Sequence, residues 1–135
     1  METAVFCLGL LGLLVVGLGL GVSLTRGSTK TNFAYTVDPT DRLYKMVRAH
    51  GNAVEYAPML SILILYLGVL HPSIAGHPPA RWVLWTAIAA TVSRYLHALG
   101  MILSKSLDQT DPLRFVGALG TYIAGLILVA AVFLT

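Results

Sequence analysis

The sequence predicts an all-α fold in which four membrane-spanning helices pack as one antiparallel bundle over residues 1–135. Of the 135 residues, 56% are hydrophobic and only 11% are charged, whereas a soluble domain usually carries about 25% charged residues. So few charges cannot cover a small globule, because small domains have the most surface per residue. Four long apolar runs alternate with short polar connections, and only helices or closed barrels satisfy their backbone in lipid. These observations exclude a soluble enzyme and indicate an integral membrane protein.

The first predicted span covers residues 3–24, a run that contains no charged side chain. It is long enough to cross about 30 Å of hydrocarbon at 1.5 Å per residue. A cleaved signal peptide is the alternative, but the chain starts with Glu2 rather than basic residues and the run is longer than a typical signal. The one cysteine, Cys7, lies inside this run, so the sequence offers no disulfide framework and no cysteine-based metal site.

The second predicted span covers residues 43–70, with polar first turns and a nearly continuous apolar run from Ala57 onward. His71-Pro72 follows, and two further prolines stand at 78–79. Because proline cannot donate to the helical ladder and restrains the residue before it, we expect His71-Pro72 and the run His77-Pro78-Pro79 to break the helix, so that the span ends at about Leu70.

The third and fourth predicted spans cover residues 82–104 and 113–135, and the only charged side chains in them are Arg94 and Arg114. Glycine is frequent in the first and fourth spans. Because small residues let membrane helices approach closely, these positions are candidates for helix–helix or subunit contacts, unless they reflect only the general abundance of glycine in membrane helices. They are Gly9, Gly12, Gly17, Gly19, Gly21, Gly117, Gly120 and Gly125.

The basic residues predict how the bundle is oriented. Loops 25–42 and 105–112, with the helix turns next to them, carry nearly all of these residues: Arg26, Lys30, Arg42, Lys45, Arg48, Lys105 and Arg114. The opposite side has Arg81 alone. The positive-inside rule therefore predicts that both loops are cytoplasmic and both termini outside. Topology accounts for the net charge of +3, so we expect no nucleic-acid partner.

A first set of polar residues lies where the second span begins. Arg48, Asn52, Glu55 and Tyr56 are spaced i, i+4, i+7 and i+8, which places them on one helical stripe. A cation, an amide, an anion and a phenol on one stripe can hold a small zwitterion at several points. Two other readings stay open: Arg48 could be an interfacial anchor, and Glu55 could pair with a buried arginine.

A second set consists of Arg94 and His97 on the third span and Arg114 at the start of the fourth. We interpret Arg94 as a structural intramembrane charge, because it lies deeper than a cytoplasmic ligand would reach. Arg114 is either a ligand-binding cation or an interfacial anchor. The aromatic residues include ordinary interfacial belt positions: Tyr44, Tyr56, Tyr66, Tyr95, Tyr122, Trp82 and Trp85.

Metal and haem sites are not expected. His50 and His97 are the only pair available for bis-histidine haem, and charges rather than an apolar slot flank them. No His, Cys and carboxylate residues cluster at zinc-ligand spacing. A serine hydrolase site is not indicated either, since the chain lacks a nucleophile elbow.

Three segments carry a resemblance to a known family. Arg48-Ala-His-Gly-Asn-Ala-Val-Glu-Tyr-Ala-Pro58 resembles the second-helix signature of the MAPEG family, the membrane-associated proteins of eicosanoid and glutathione metabolism. Arg94-Tyr-Leu-His-Ala98 and Asp111-Pro-Leu-Arg-Phe-Val-Gly117 continue the match, which covers nearly the whole chain. The arrangement looks most like the short bacterial members and is similar to the family's microsomal glutathione transferases.

The resemblance implies a homotrimer that binds glutathione as co-substrate between subunits, near the cytoplasmic face. By position, it implies that Arg114 faces the thiol and that the tripeptide is held by Arg48, Asn52, Glu55, Tyr56 and His97. A guanidinium near the sulfur favours the reactive thiolate. An apolar small-molecule substrate would arrive through the membrane lipid. We therefore expect a glutathione transferase, with glutathione peroxidase activity as an accompanying reaction.

Some positions depart from the family pattern. Met101 stands where several catalytic members have a tyrosine, and Gly51 replaces an arginine of some members. Either Arg26 or Lys30 could supply the first-helix cation. Two alternatives follow: a non-catalytic lipid-binding or scaffold protein of the same family, and a small proton-coupled transporter that uses Glu55 as carrier site.

Overall fold

The computed structural model describes residues 1–135 and contains four long helices and no strand. They are α1 (Glu2–Thr29), α2 (Arg42–Ala75), α3 (Arg81–Leu103) and α4 (Pro112–Val132). Each helix is long and apolar enough to cross a membrane. The prediction of an all-α, four-helix bundle is therefore confirmed.

Helix α1 extends beyond its apolar run. Glu2 lies in its first turn, where a negative charge interacts favourably with the helix dipole. The helix ends where Lys30 adopts a left-handed conformation with φ of 53°, and the Lys30 N–H donates to the carbonyls of Arg26 and Gly27. Arg26 Nη1 then donates to Ala34 O at 2.8 Å, which fixes the start of the first connection.

Helix α2 begins at the cap residue Asp41, whose carboxylate accepts a hydrogen bond from Tyr44 N at 2.7 Å. Regular helix continues to Leu65, and a π-helical turn then covers Tyr66–Leu70.

The expected helix end at His71-Pro72 is wrong. The helix continues to Ala75 and stops at Gly76, whose φ of 71° a residue with a side chain rarely adopts. The wider π-helical turn just before Pro72 gives the proline ring room, and Pro72 lies in the first turn of the final segment, where a missing N–H costs little.

Polar contacts join the first connection (residues 30–41, between α1 and α2) to the third connection (residues 104–111, between α3 and α4) at the same end of the bundle. Leu107 N donates to Pro39 O at 2.9 Å, and Lys45 Nζ donates to Ser104 O, also at 2.9 Å. The Lys45 contact places a cation on the carbonyl end of α3, where the helix dipole favours positive charge. Helix α4 starts at the cap residue Asp111, which accepts from Arg114 N at 2.9 Å.

Two apolar clusters form the core. The larger involves all four helices and includes Leu11, Leu60, Ile64 and Leu128. The smaller packs α1, α2 and α3 together and comprises Leu14, Leu18, Ala49, Ala53, Ala98 and Met101. Arg94 on α3 belongs to neither cluster and is the largest fully buried side chain of the chain.

Helices α3 and α4 approach most closely through glycines, along what we call the α3–α4 seam (Gly100, Gly117 and Gly120, with the atoms that they contact). A Cβ on Gly117 would overlap the backbone of His97, and one on Gly120 would overlap the Ser93 hydroxyl. A Cβ on Gly100 would lie 2.5 Å from Arg114 N. This part of the glycine prediction is confirmed within the subunit.

Candidate functional site

Arg94 is the buried centre of the polar residues. Its side chain is 1% exposed, and Nη2 donates to Asn52 Oδ1 at 2.6 Å and to Asn52 O at 3.2 Å. The Tyr56 ring lies 5.1 Å from the Arg94 Cζ atom, a favourable cation–π distance. Asn52 and Tyr56, rather than Glu55, are thus the neighbours that stabilise this charge. Arg94 Nε has no hydrogen-bond partner.

Tyr56 connects Arg94 to helix α4. Its hydroxyl lies 2.9 Å from the hydroxyl of Tyr122, and the two rings meet edge to face with centroids 5.7 Å apart. Tyr122 is 52% exposed, so this pair extends from the buried arginine to the surface of the chain.

His97 and Arg114 are joined across the α3–α4 seam. The His97 Nδ1 atom lies 2.9 Å from Arg114 O, and because a carbonyl can only accept, Nδ1 donates. In the neutral ring, Nε2 therefore carries the lone pair. Arg114 Nη1 donates to Leu107 O at 2.9 Å and to Gln109 O at 3.5 Å. The remaining N–H groups of the guanidinium bind no other residue and are free for a ligand.

The predicted stripe on α2 divides into two parts. Asn52 and Tyr56 are half-buried and contact Arg94, whereas Arg48 and Glu55 are exposed. Arg48 donates to no group of the chain. The structure therefore brings Asn52, Tyr56 and Arg94 together and leaves two opposite charges on the outer surface. That all four stripe residues hold one ligand remains a prediction.

The two candidate cations of the first connection differ in their surroundings. Arg26 is half-buried, and its guanidinium is bound to the carbonyls of Thr31 and Ala34. Lys30 is exposed and its side chain makes no hydrogen bond. In this connection Asp38 accepts hydrogen bonds from the backbone and hydroxyl of Thr40, which hold the pKa of its carboxyl below the ordinary value of 3.8.

Three cavities adjoin one another along the groove between α2, α3 and α4. The polar cavity, of about 240 Å³, is lined by residues that include His97, Asp108, Asp111, Arg114 and Ala118. The connecting cavity, of about 20 Å³, lies around Arg94 and Asn52. The apolar groove, of about 410 Å³, lies between α2 and α4 and is lined mainly by Met59, Leu60, Leu63, Leu126 and Val129.

Shared residues link these cavities into one series. His97 and Ala118 line both the polar and the connecting cavity. Tyr56, Thr121 and Tyr122 line both the connecting cavity and the apolar groove. The series therefore has a charged end at Arg114 and an apolar end among aliphatic side chains, and such a layout can accommodate a polar and an apolar molecule at neighbouring positions.

Sequence reasoning missed the contribution of α4 beyond Arg114. Tyr122 belongs to the aromatic set that includes ordinary interfacial belt residues, yet it contacts Tyr56 and lines two of the cavities. A signal was present. Arg114, Ala118, Thr121 and Tyr122 are spaced i, i+4, i+7 and i+8, which is the same spacing as in the α2 stripe, and all four line the series of cavities.

Met101 and His50 lie away from the cavities. Met101 is 7% exposed and belongs to the smaller apolar cluster. The His50 ring packs against α1, where its Nε2 atom would lie 3.2 Å from a Cβ on Gly19. No group of three or more His, Cys, Asp and Glu residues is placed to hold a metal ion.

The MAPEG family model matches residues 4–134, which is almost the whole chain. The chain therefore belongs to the MAPEG family, and the resemblance seen in the sequence is confirmed. No curated protein matches the chain. Family membership and the four apolar helices together establish an integral membrane protein whose function lies broadly in membrane glutathione or eicosanoid metabolism, in a family of membrane-embedded oligomers.

Proposed function

Because this MAPEG-family chain joins a charged cavity to an apolar groove, we propose that it is a membrane-bound glutathione transferase that acts on apolar electrophiles. The observation that carries the proposal is the series of three cavities that share lining residues, from Arg114 past Arg94 to the aliphatic groove. Of the two substrates of such a reaction, charged glutathione matches the polar cavity and the apolar electrophile matches the apolar groove. Ligand sites of this volume are commonly lined by apolar groups with a few convergent polar groups.

Glutathione would occupy the charged end. The tripeptide carries two carboxylates and one ammonium group. The charged side chains that line the polar cavity are Asp108, Asp111 and Arg114, whereas Glu55 lines the apolar groove and Arg48 lines neither. Arg48 and Glu55 are exposed in the single chain, so we propose that they contact glutathione at the boundary with a neighbouring subunit of a homotrimer. Asn52, Tyr56 and His97 would complete the binding set, with Arg94 holding Asn52 and Tyr56 in place.

Arg114 would activate the thiol. A permanently charged guanidinium beside the sulfur lowers the thiol pKa and favours the thiolate, the nucleophilic form. With an aryl halide, a carbon–sulfur bond forms, the carbon–halogen bond breaks, the halide leaves with the bonding pair, and the thiol proton passes to water. In the accompanying peroxidase reaction, two glutathione thiols reduce a hydroperoxide to an alcohol and water and become a disulfide.

The expected membrane orientation suits this arrangement. The first and third connections lie at the same end of the bundle as the polar cavity, since Leu107 N binds Pro39 O and Asp108 lines that cavity. These connections carry most of the basic residues, so the positive-inside rule orients them toward the cytoplasm of a bacterial inner membrane. Glutathione would then reach the site from the cytoplasm and the electrophile from the lipid.

The experiment that tests the proposal uses the purified protein, glutathione and 1-chloro-2,4-dinitrobenzene. We expect calorimetric binding of glutathione, thiolate absorbance and formation of the conjugate. In Arg114→Ala, kcat should fall by about 100-fold or more, since removing one preorganised electrostatic donor commonly costs that much, while glutathione affinity is retained. Arg81→Ala, at the opposite end of the bundle, is the control. Loss of affinity alone would mean that Arg114 only anchors glutathione, and no binding or conjugate in the unchanged protein would refute the transferase.

A non-catalytic lipid-binding protein is the second candidate. The observation that favours it is Met101, which is buried in the apolar core and brings no hydroxyl to the site. Lipid that copurifies with the protein, together with no thiolate absorbance after glutathione is added, would support this candidate over the transferase.

A further inference from the structure

The paired hydroxyls of Tyr56 and Tyr122 stand where the connecting cavity meets the apolar groove. Their oxygen atoms are 2.9 Å apart, and either hydroxyl can be the donor. Whichever one donates, its hydrogen is used within the pair, and the hydrogen of the other remains available. The pair therefore keeps one free O–H, and accepting a hydrogen bond from its partner strengthens the donation of that O–H.

No other lining residue of the apolar groove offers a side-chain hydrogen. The Thr121 hydroxyl already donates to Gly117 O at 2.7 Å, and an ionised Glu55 has only acceptor atoms. The other lining residues are aliphatic or glycine. An O–H group that lacks a partner away from water costs free energy. A ligand whose oxygen accepts a hydrogen bond from the free O–H therefore binds more favourably in the apolar groove than a ligand without such an oxygen.

The charge at the groove restricts which oxygen can bind. Glu55 is the only charged residue that lines it. Its carboxylate repels an anion that enters the groove, whereas the Arg94 cation lies behind the Tyr56 ring and outside the groove lining. A neutral acceptor, such as a carbonyl or a hydroperoxide, meets no such repulsion.

We propose that the Tyr56–Tyr122 hydroxyl pair binds the oxygen of a neutral, apolar second substrate, such as an unsaturated aldehyde, and that Tyr122 is a specificity-determining residue. The binding claim concerns the groove alone, whereas its catalytic consequence rests on the proposed transferase. When thiolate adds to an unsaturated aldehyde, the carbon–sulfur bond forms at the β-carbon and the alkene electron pair moves toward oxygen. The resulting enolate takes a proton from water at the α-carbon, which restores the carbonyl. The tyrosine hydrogen bond strengthens as the oxygen gains charge.

The packing around Tyr56 supports this role. The Arg94 guanidinium against one face of the ring and the Tyr122 edge hold the phenol in one orientation. Tyr122 itself is 52% exposed on α4, so a molecule that enters the groove from the lipid reaches its hydroxyl without moving the core.

Infrared spectroscopy tests the binding without catalysis. The full-length protein is reconstituted in ether-linked phospholipids, which have no carbonyl, and 2-nonanone labelled with carbon-13 at the carbonyl is added without glutathione. We expect a band at lower wavenumber than that of the ketone in lipid alone, and its loss in the Tyr56→Phe/Tyr122→Phe double variant. The carboxylate nonanoate should not displace it. A carbonyl band that does not shift would overturn the proposal; this is the result expected if a neighbouring subunit or lipid fills the groove. Displacement of the ketone by nonanoate would also overturn it.

Kinetics provide the second readout. Tyr122→Phe should lower kcat/KM for trans-2-nonenal about fivefold relative to kcat/KM for benzyl chloride, which has no oxygen acceptor, because one neutral hydrogen bond is weakened. Equal loss for both substrates would assign Tyr122 to the fold or to the glutathione site and overturn the specificity role. If the unchanged protein conjugates neither substrate, the transferase fails, while the infrared band still decides whether the hydroxyl pair binds a neutral oxygen.

Discussion

Two groups of glycines in the same chain have opposite surroundings. Gly100, Gly117 and Gly120 lie in the α3–α4 seam, where an added Cβ would collide with the neighbouring helix. Gly9, Gly12 and Gly17 on α1 are exposed, and an added Cβ would meet no atom within 4 Å. Sequence composition treats these positions alike. The structure shows that one group brings two backbones together, whereas the other leaves a smooth outer face open to lipid or to another subunit.

The difference indicates how the site is built. The seam lets His97 on α3 reach the backbone carbonyl of Arg114 on α4, and it places Gly100 beside the cap of α4. Helix α1 contributes no residue to the three cavities. Close approach in the seam thus positions His97 against Arg114, which can be tested by adding a methyl group to the seam and to the exposed side of α1.

The largest expected effect comes from a methyl group in the seam. Gly117→Ala would force α3 and α4 apart at His97, and we expect a loss of about 3 kcal/mol in the free energy of unfolding, near the upper end of typical overpacking. The His97–Arg114 hydrogen bond should break and conjugation should be lost. The measurements are unfolding in mixed micelles and activity with glutathione and an aryl halide.

Gly9→Ala is the matched control on α1. We expect no loss of subunit stability, since alanine favours helix over glycine. If Gly117→Ala proved as harmless as Gly9→Ala, the close packing of the seam would be disproved. A Gly9→Ala variant that unfolds normally but dissociates into single chains would show that the smooth face is a subunit contact.

A smaller effect is expected beside the seam, where Arg94 is buried with Asn52. Asn52→Ala removes the 2.6 Å hydrogen bond and leaves a buried cation short of a partner, so we expect a loss of about 2 kcal/mol in the free energy of unfolding. Adding Arg94→Met removes the charge that needs the partner, so the double variant should lose less than the sum of the single variants. Asn32→Ala, in the exposed first connection, is the control, and additive losses would contradict the coupling.

The smallest loss of stability is expected at the two helix caps, Asp41 and Asp111, which differ in their expected effect on activity. Asp111→Ala and Asp41→Ala each remove a carboxylate that caps a helix, and each should lower the free energy of unfolding by about 1 kcal/mol. Only Asp111 binds the backbone N–H of Arg114, so only Asp111→Ala should also lower kcat/KM for conjugation. Equal kinetic losses in the two variants would show that the cap does not position Arg114.

Most of the fold could be predicted because it depends on composition over long runs. Apolar stretches of about 20 residues indicate helices, since a strand of a membrane barrel needs only about 9–11 residues to cross the bilayer. The residue at which α2 ends could not be predicted from apolar composition. Pro72 is a helix-breaking signal by local rules, but a π-helical turn of five residues accommodates it, and Gly76 provides the actual stop.

The site was predictable only where its residues share one helix. The spacing of Asn52 and Tyr56 placed them together, and the structure shows both against Arg94. The contact between Tyr56 and Tyr122 depends on how α2 and α4 are rotated relative to each other, which no local spacing encodes. The same limit applies to Arg48 and Glu55: they share the stripe with Asn52 and are exposed in the single chain, and a ligand common to all of them remains a prediction.

Helix α2 has 34 residues, about 51 Å at 1.5 Å per residue, whereas the hydrocarbon layer is about 30 Å thick. Even when tilted, such a helix must extend past the acyl chains at one end or both. With its apolar run from Ala57 in the acyl region, the turns from Arg42 to Tyr56 would lie among headgroups and water. The connecting cavity, where water-soluble glutathione and a lipid-dissolved substrate would meet, would then lie at the depth of the headgroups. The thickness of the bilayer would set how far each molecule must move to reach it.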